Sequence, residues 1–258
     1  MSDSTVDTET EPLSVHINAD ARQVWVMLRE PSRLAQWHGW ETEGLDEEIE
    51  LIYFSDAVES ADHRSLTLGG RYTFTLEPVG DGTKVTVARS GAAPGPNEPP
   101  EEDVREGWQS FLQQLRFALE RHPNDKRQTT YFQDNSAPHG GAAHNLGLDK
   151  LPAPGEDYEA TLGTGESLAG KVWFRSAHQV GLTVRSYAGH GDGLLIVADL
   201  PATPTRPDGG TQVLITSYGL GAKALSELRS KWDGWRTRHF PSSEPLVIGN
   251  EAGPIAGG

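Results

Sequence analysis

Apolar residues alternate with polar ones, or recur every three to four positions, through most of residues 13–123. Residues 14–17 alternate as a strand does, and the Asn-Ala-Asp that follows supplies an N-cap for a helix. One face of that helix carries Val24, Met27 and Leu28. Pro31 suits the first turn of a second short helix, which Gly39 ends. The chain is therefore predicted to open with a strand and two helices.

Four segments with a period of two follow, each with one apolar face and one polar face. Their apolar positions are residues 49–54, Leu66 and Leu68, then Tyr72, Phe74 and Leu76, and finally Val85 and Val87. The Gly-Asp-Gly-Thr between the last two segments is typical of a β-hairpin. These segments are predicted to form an antiparallel meander with one buried face.

A long amphipathic helix is predicted after the meander. The acidic residues 101–103 suit its positive end, and Arg121 and His122 suit its negative end. Its apolar stripe, which would lie on the sheet, consists of Val104, Gly107, Trp108, Phe111, Leu112, Leu115, Ala118 and Leu119. Phe117 falls outside this stripe, so we expect it to contact the second half of the chain.

A strand followed by a tryptophan-bearing helix occurs twice, in residues 80–123 and again in residues 209–241. The second copy lacks a convincing strand-helix-helix opening, so we predict a truncated repeat that packs on the first unit without forming a pocket of its own. The predicted organisation is a disordered tail at 1–12, a first domain at 13–123, a linker at 124–155, a truncated sheet-plus-helix lobe at 156–241 and a disordered tail at 242–258.

The first domain resembles the START-like, or SRPBCC, superfamily. Residues 14–40, SVHINADARQVWVMLREPSRLAQWHGW, are similar to the opening of bacterial homologues of the activator of heat-shock protein 90 ATPase. Residues 105–120, REGWQSFLQQLRFALE, are similar to their closing helix. The resemblance implies an α+β helix-grip fold, in which an antiparallel sheet wraps a long C-terminal helix. It also implies a cavity between sheet and helix for apolar or aromatic small molecules, as in lipid carriers, plant hormone receptors and polyketide cyclases.

The candidate ligand site combines aromatic and apolar side chains from the short helix, the sheet and the closing helix, with one carboxylate at its rim to orient a polar group. Its members are Trp37, Trp40, Tyr72, Phe74, Glu106, Trp108, Phe111 and Leu115. For each of them the alternative is plain core packing. No catalytic residue is predicted, and an enzyme of the cyclase or aromatase kind would need an ionisable group in the cavity, for which Glu106, His38 and His63 are the candidates.

No metal site and no cofactor are predicted. The chain has no cysteine, and the neighbouring His139 and His144 lie in a Gly-Ala-rich segment that would not hold a coordination geometry. His178 and His190 flank strands of the second unit and are interpreted as ordinary loop histidines. The acidic residues 46–50 are interpreted as solvated surface, because their spacing matches no calcium loop.

The net charge of −15 argues against partners that are themselves anionic, so neither nucleic acid nor membrane is expected as a partner. The acidic amino terminus does not resemble a signal peptide, and a cytoplasmic location is expected. The main hypothesis is a protein that binds an apolar or amphipathic small molecule. The alternatives are a cyclase-like or aromatase-like enzyme and a chaperone-associated or protein-interaction module, whose protein partner the sequence does not identify.

Overall fold

The computed structural model describes residues 12–90, 100–136, 140–204, 206–240 and 243–248. The first half of the chain contains β1 (Leu13–Ile17), α1 (Ala21–Arg29), α2 (Pro31–Leu34), α3 (Leu45–Tyr53), β2 (Ala57–Glu59), β3 (Ser65–Leu68), β4 (Tyr72–Val79), β5 (Gly82–Arg89) and α4 (Glu101–Arg121). The second half contains β6 (Arg127–Asp134), α5 (Ala142–Asn145), β7 (Asp157–Thr161), β8 (Ser167–Arg175), β9 (Gln179–Val184), β10 (Gly193–Leu200), β11 (Gly210–Tyr218), α6 (Ala222–His239) and β12 (Val247–Ile248).

The predicted opening is confirmed, down to its helix cap. Asp20 accepts a hydrogen bond from the backbone N–H of Gln23, whose side chain accepts one from the backbone N–H of Asp20. This reciprocal capping box satisfies two backbone donors at the start of α1. Pro31 occupies the first turn of α2, as predicted.

The strand predicted over residues 49–54 is wrong, because α3 occupies this segment. Gly44 precedes the helix with φ = 92°, and the acidic residues 46–48 lie in the first turn, where the helix dipole favours negative charge. The buried residues of α3 are Leu45, Ile49 and Tyr53, which follow a spacing of four, whereas Leu51 is exposed. The acidic run therefore begins a helix whose apolar face covers the first core.

The first sheet is the predicted antiparallel meander, with strand order β1-β5-β4-β3-β2. Phe74 and Leu76 of β4 point to its buried face and alternate with exposed residues. The opening strand β1 pairs with the last strand β5, with Val15 opposite Val85. Leu112, Leu115 and Ala118 of α4 belong to the same core cluster as these strands and α1 to α3. This is the α+β helix-grip arrangement that the sequence predicts.

The second sheet repeats this topology and extends further toward the amino terminus than the sequence predicted. Its order is β12-β6-β11-β10-β9-β8-β7, so its opening strand β6 again pairs with the strand that precedes the closing helix. The predicted linker at 124–155 therefore contains a strand of the sheet, because Arg127–Asp134 pairs with β11 along its whole length. Only the helical part of the opening is truncated, since the four-residue α5 stands where the first unit has three helices.

Helix α4 lies between the two sheets. The residues of its predicted stripe pack on the first sheet, whereas Phe117 belongs to a cluster with side chains of the second sheet. Phe117 is fully buried, and its ring lies 5.3 Å from Trp173 in an edge-to-face contact. The expected contact of Phe117 with the second half of the chain is confirmed, and the second lobe packs on the first unit.

The other face of the second sheet carries the second core, to which α6 contributes Leu225, Leu228, Trp232 and Trp235. This sheet is therefore covered on both faces, by α6 and α5 on one side and by α4 on the other. Within the described ranges, no helix is long and apolar enough to cross a membrane.

Candidate functional site

A cleft opens where the amino-terminal end of α4 passes the start of β1 and β4 and the end of β5. Its volume is ≈ 50 Å³. Apolar side chains form the interior and charged side chains surround it; the lining residues are Pro12, Leu13, Tyr72, Val87, Arg89, Glu101, Val104, Arg105 and Trp108. The cleft lies at the open end of the layer between sheet and helix, where the helix-grip fold predicts a ligand.

Aromatic rings form the inner wall of the cleft. Trp108 lies 5.4 Å from Tyr72 and 5.3 Å from Phe74, measured between ring centroids. Tyr72 and Phe74 meet it together because alternate residues of a strand point to the same face. Behind Trp108, the ring of Phe111 follows one turn along α4 at 5.8 Å. Since Tyr72 and Trp108 are only partly buried, both present ring surface to a ligand.

Charged groups surround the mouth of the cleft. Arg89 of β5 lies directly opposite Tyr72 of β4, and Arg105 precedes Trp108 by one helical turn. Glu101 begins α4 at the same mouth. The positive end of the helix dipole and two guanidinium groups thus favour an anionic or strongly polar group at the rim.

A hydrogen-bonded chain of ionisable groups lies behind Phe111. The hydroxyl of Tyr53 is 3.0 Å from Nδ1 of His38, and Nε2 of His38 is 3.3 Å from Oε1 of Glu48. A carboxylate only accepts, so His38 donates from Nε2 and accepts the tyrosine proton at Nδ1. The His38 hydrogen bond lowers the pKa of Glu48, and burial raises the pKa of Tyr53. These shifts keep the Glu48 carboxylate ionised and the Tyr53 hydroxyl protonated.

The ring of His38 is 4.7 Å from that of Phe111, which separates it from Trp108 and the cleft. His38 is 1 % exposed, so it has no direct access to the cleft as the side chains stand. The sequence predicts His38 as a candidate ionisable group of the cavity. It does not predict Tyr53, because its pattern over residues 49–54 is interpreted as a strand. If this segment is interpreted as a helix, Tyr53 lies one turn beyond Ile49 on the buried face and becomes a candidate as well.

The structure brings together only part of the predicted ligand site. Tyr72 and Trp108 line the cleft, Phe74 and Phe111 lie directly behind Trp108, and Leu115 is buried deeper in the same core. Trp37 is fully buried, and its indole nitrogen donates to the carbonyl of Met27 at 2.9 Å. Trp37 is therefore placed as a core residue.

Trp40 and Glu106 lie away from the cleft, at the interface between the two units. Trp40 stacks on Tyr131 of β6, with 3.6 Å between ring centroids. Glu106 is 7 % exposed and accepts hydrogen bonds from Ser176 and Gln179 of the second unit. Both residues therefore join the two units, and neither lines the cleft.

A larger depression of ≈ 500 Å³ lies between α1 and the carboxyl end of α4. Most of its lining residues are exposed, among them Asp20, Arg22 and Asn124. It lies outside the layer between sheet and helix, where the helix-grip fold predicts a ligand.

A second group of ionisable side chains, which sequence reasoning missed, lies at the opposite end of α4. His122, Asp125 and His190 offer three potential ligand atoms that lie within 4.8 Å of one another. The histidines are 68 positions apart, so no local spacing motif reveals them. His139, one of the two linker histidines considered from sequence, lies outside the described residues, and His144 is instead paired with Asp149.

Comparisons with known proteins match part of this chain. The family model described as activator of Hsp90 ATPase homolog 1-like protein matches residues 46–120. No curated protein matches the sequence.

Three solved structures are similar to the chain over most of its length. DynU16, a protein of the dynemicin biosynthetic locus, is 18% identical, with 86% of this chain and 92% of that chain covered and a TM-score of 0.30. The di-domain ARO/CYC StfQ from the steffimycin pathway is 12% identical, with 90% and 93% covered and a TM-score of 0.35. The di-domain ARO/CYC BexL from the BE-7585A pathway is 12% identical, with 89% and 95% covered and a TM-score of 0.31.

The family match spans α3, the meander and nearly all of α4. It includes Glu48, Tyr53 and most of the cleft lining, but His38, Pro12 and Leu13 lie before it. The strand order of the first sheet and the helix that closes it agree with the helix-grip fold that the sequence predicted. The first unit of the chain therefore has the helix-grip fold, and residues 46–120 within it are similar to the activator of Hsp90 ATPase homolog 1-like family.

Proposed function

We propose that the first unit binds a small amphipathic aromatic molecule in the cleft at the amino-terminal end of α4. The observation that supports this most directly is the partly buried Trp108, which contacts Tyr72 in the wall of an apolar cleft with Arg89 and Arg105 at its rim. An aromatic ring would stack against Trp108 and Tyr72, and a polar or anionic group would stay at the mouth beside the arginines.

The size of the cleft limits how the ligand enters. Its ≈ 50 Å³ is far below the roughly 300–1,000 Å³ of ordinary ligand pockets, so binding requires the side chain of Trp108 to rotate. The ring of Trp108 is partly exposed and meets Phe74 and Phe111 edge-on. Its rotation therefore gives up less packing than rotation of a fully buried ring, and it opens the space in front of Phe111.

A fluorescent amphipathic anion, 8-anilinonaphthalene-1-sulfonate, tests the proposal on the full chain. We expect saturable binding of one molecule per chain and a loss of affinity of about tenfold in Trp108→Ala, since an aromatic contact is worth about 0.5–1.5 kcal/mol beyond its buried area. Arg105→Ala should also weaken binding, because it removes positive charge at the rim. Fluorescence titration measures both affinities.

Trp25→Phe is the matched control, because Trp25 stacks on His63 outside the cleft. It should bind the probe as the wild type does. Unchanged affinity in Trp108→Ala would disprove the proposed site, and loss of the thermal unfolding transition in that variant would show that Trp108 serves the core instead.

A cyclase-like or aromatase-like enzyme is the second candidate, and the Tyr53–His38–Glu48 chain favours it. Rotation of Trp108 together with Phe111 would expose His38 to a ligand in the cleft and supply the ionisable group that such chemistry needs. Chemical change of a bound compound, in contrast to its unaltered release, distinguishes the enzyme from the binding protein. The third hypothesis, a protein-interaction module, loses one supporting feature, because Phe117 is buried between the two units.

A further inference from the structure

The end of α4 and a loop of the second unit bring two imidazoles and one carboxylate together. Oδ2 of Asp125 lies 2.8 Å from Nδ1 of His122 and 3.0 Å from Nε2 of His190. His122 is the C-cap that follows the last residue of α4, Asp125 follows in the next turn, and His190 lies in the loop before β10. The three side chains thus connect the two units of the chain.

The hydrogen bonds of His122 indicate the neutral tautomer that carries its proton on Nε2, with no proton on Nδ1. Its Nε2 is 2.6 Å from the carbonyl oxygen of Asp192, and a carbonyl only accepts, so Nε2 carries the proton. In a neutral ring, Nδ1 then presents a lone pair toward the Asp125 carboxylate, which also only accepts. A cation between the two acceptors resolves this, and a metal-binding histidine commonly donates its other N–H to a backbone carbonyl.

The alternative is a second proton on His122. This would place a positive charge on a side chain that is 0 % exposed and stacked on Tyr218, with 3.7 Å between ring centroids. A metal ion would instead lie toward the open side of the cluster, since the side chain of His190 is 64% exposed and that of Asp125 is 33% exposed.

Local electrostatics favour a cation at this place. His122 terminates α4, so the negative end of a 21-residue helix points toward the cluster. The net charge of −15 adds a long-range attraction for cations.

The loop that carries His190 is held in place by its glycines. A Cβ on Gly189 would lie 2.4 Å from the carbonyl oxygen of Gly219, and the N–H of Gly189 donates to the carbonyl of Tyr218 at 2.8 Å. Gly191 has φ = 68°, a conformation that other residues rarely adopt. The close approach of this loop to the end of β11 therefore positions His190 next to Asp125.

We propose that His122, Asp125 and His190 bind one divalent transition-metal ion of the zinc type, through Nδ1, a carboxylate oxygen and Nε2, respectively. Tetrahedral ligands about 2.0–2.2 Å from zinc lie about 3.3 Å from one another, so the two distances to Asp125 must open by a few tenths of an ångström. The partly exposed Asp125 and His190 can make this adjustment. Three protein ligands leave the fourth position to water, and the ion joins the end of α4 to the second sheet.

Metal titration of the chelator-treated, tag-free full chain tests this proposal. Co²⁺ is followed by its visible absorption and Zn²⁺ by competition against Co²⁺. We expect one equivalent to bind in the wild type, and a loss of affinity of about 100-fold or more in His190→Ala and Asp125→Asn, because each removes a ligand. Saturating Zn²⁺ should raise the melting temperature of the wild type and leave that of His190→Ala unchanged, because binding to the folded state alone stabilises it.

His144→Ala is the matched control. His144 also contacts an aspartate, with Nδ1 2.6 Å from Oδ2 of Asp149, but it lies outside the cluster and is exposed. This variant should bind the metal as the wild type does. Absence of stoichiometric binding in the wild type, equal binding in His190→Ala, or an equal loss in His144→Ala would each overturn the proposal. The exposure of His190 keeps the test clear of folding defects, which circular dichroism of the variants verifies.

Discussion

Two glutamates one turn apart on α4 show how exposure decides the contribution of a single residue. Both contact the same loop of the second unit, Glu102 through His178 and Glu106 through Ser176 and Gln179. Glu102 is 60% exposed, whereas Glu106 is buried. If Glu102 is removed, water can take its place beside His178. If Glu106 is removed, its buried partners have no such replacement.

Glu106→Ala is expected to lower the free energy of unfolding by about 1–3 kcal/mol, because it removes the carboxylate that accepts from Ser176 and Gln179 and leaves Gln179 only its hydrogen bond to the backbone carbonyl of residue 106. Glu102→Ala should cost less than about 1 kcal/mol, as for an exposed ion pair. Urea unfolding of both variants measures the difference. Neither change should alter the affinity of the fluorescent probe, and a selective loss of probe binding in Glu106→Ala would return Glu106 to the ligand site.

The position of Glu106 was predictable from helix geometry, although its partners were not. Residues i and i+2 of a helix point to different faces, so Glu106 could not share the cleft with Trp108. Its hydrogen-bond partners are 70 or more positions away in sequence, and no local pattern indicates them. His122, Asp125 and His190 were missed for the same reason.

At the scale of elements, α4 carries two stripes, of which only the apolar one was predicted. The second stripe faces the other sheet and consists of Asp103, Glu106, Gln113 and Phe117. Three of its four members are polar, so hydropathy alone marks it as solvent-exposed. Its one apolar member, Phe117, is the residue from which the sequence indicates a second packing surface. The polar groups of this stripe are buried with hydrogen-bond partners. Asp103 accepts from Arg206, and the backbone carbonyl of Gln113 accepts from the indole N–H of Trp173.

Phe117→Ala is expected to destabilise the protein by about 3–5 kcal/mol, as other large-to-small changes at fully buried aromatic positions do. Leu51→Ala on α3 is the control, because Leu51 is 69% exposed and its truncation should change stability by less than about 0.5 kcal/mol. Chemical denaturation compares the two variants. Equal, small effects would contradict the conclusion that α4 is packed on both sides.

Two of the missed elements, α3 and β6, were missed for different reasons; β12, which pairs with β6, lies in the predicted disordered tail and was missed as well. The sequence of residues 49–54 fits both periods, and the acidic first turn, which decides for a helix, was interpreted as surface. In β6, neighbouring residues such as Tyr131 and Phe132 are both buried because each face of the sheet is covered. A strand buried on both faces shows no alternation, so its sequence did not stand out from a linker.

The whole molecule is a duplicated helix-grip topology in which the first unit's closing helix covers both sheets. In each half the opening strand pairs with the strand that precedes the closing helix. The sequence predicted the duplication from the repeated strand and helix, and it predicted the truncation of the opening helices. Their absence leaves α5 as a short cover on one face of the second sheet, and α4 of the first unit covers the other face.

This architecture makes the second lobe dependent on residues before 156. A fragment of residues 156–248 lacks β6, which pairs with both β11 and β12, and it lacks α4, which covers the cluster of Trp173, Phe174 and Leu194. We expect no cooperative thermal transition in this fragment, measured by circular dichroism against the full chain. A fragment of residues 124–248 restores β6 and should regain a transition at a lower temperature than the full chain, because one face of its sheet stays uncovered. Cooperative melting of residues 156–248 would show that the lobe folds without the strand, and the central role assigned to β6 would then be wrong.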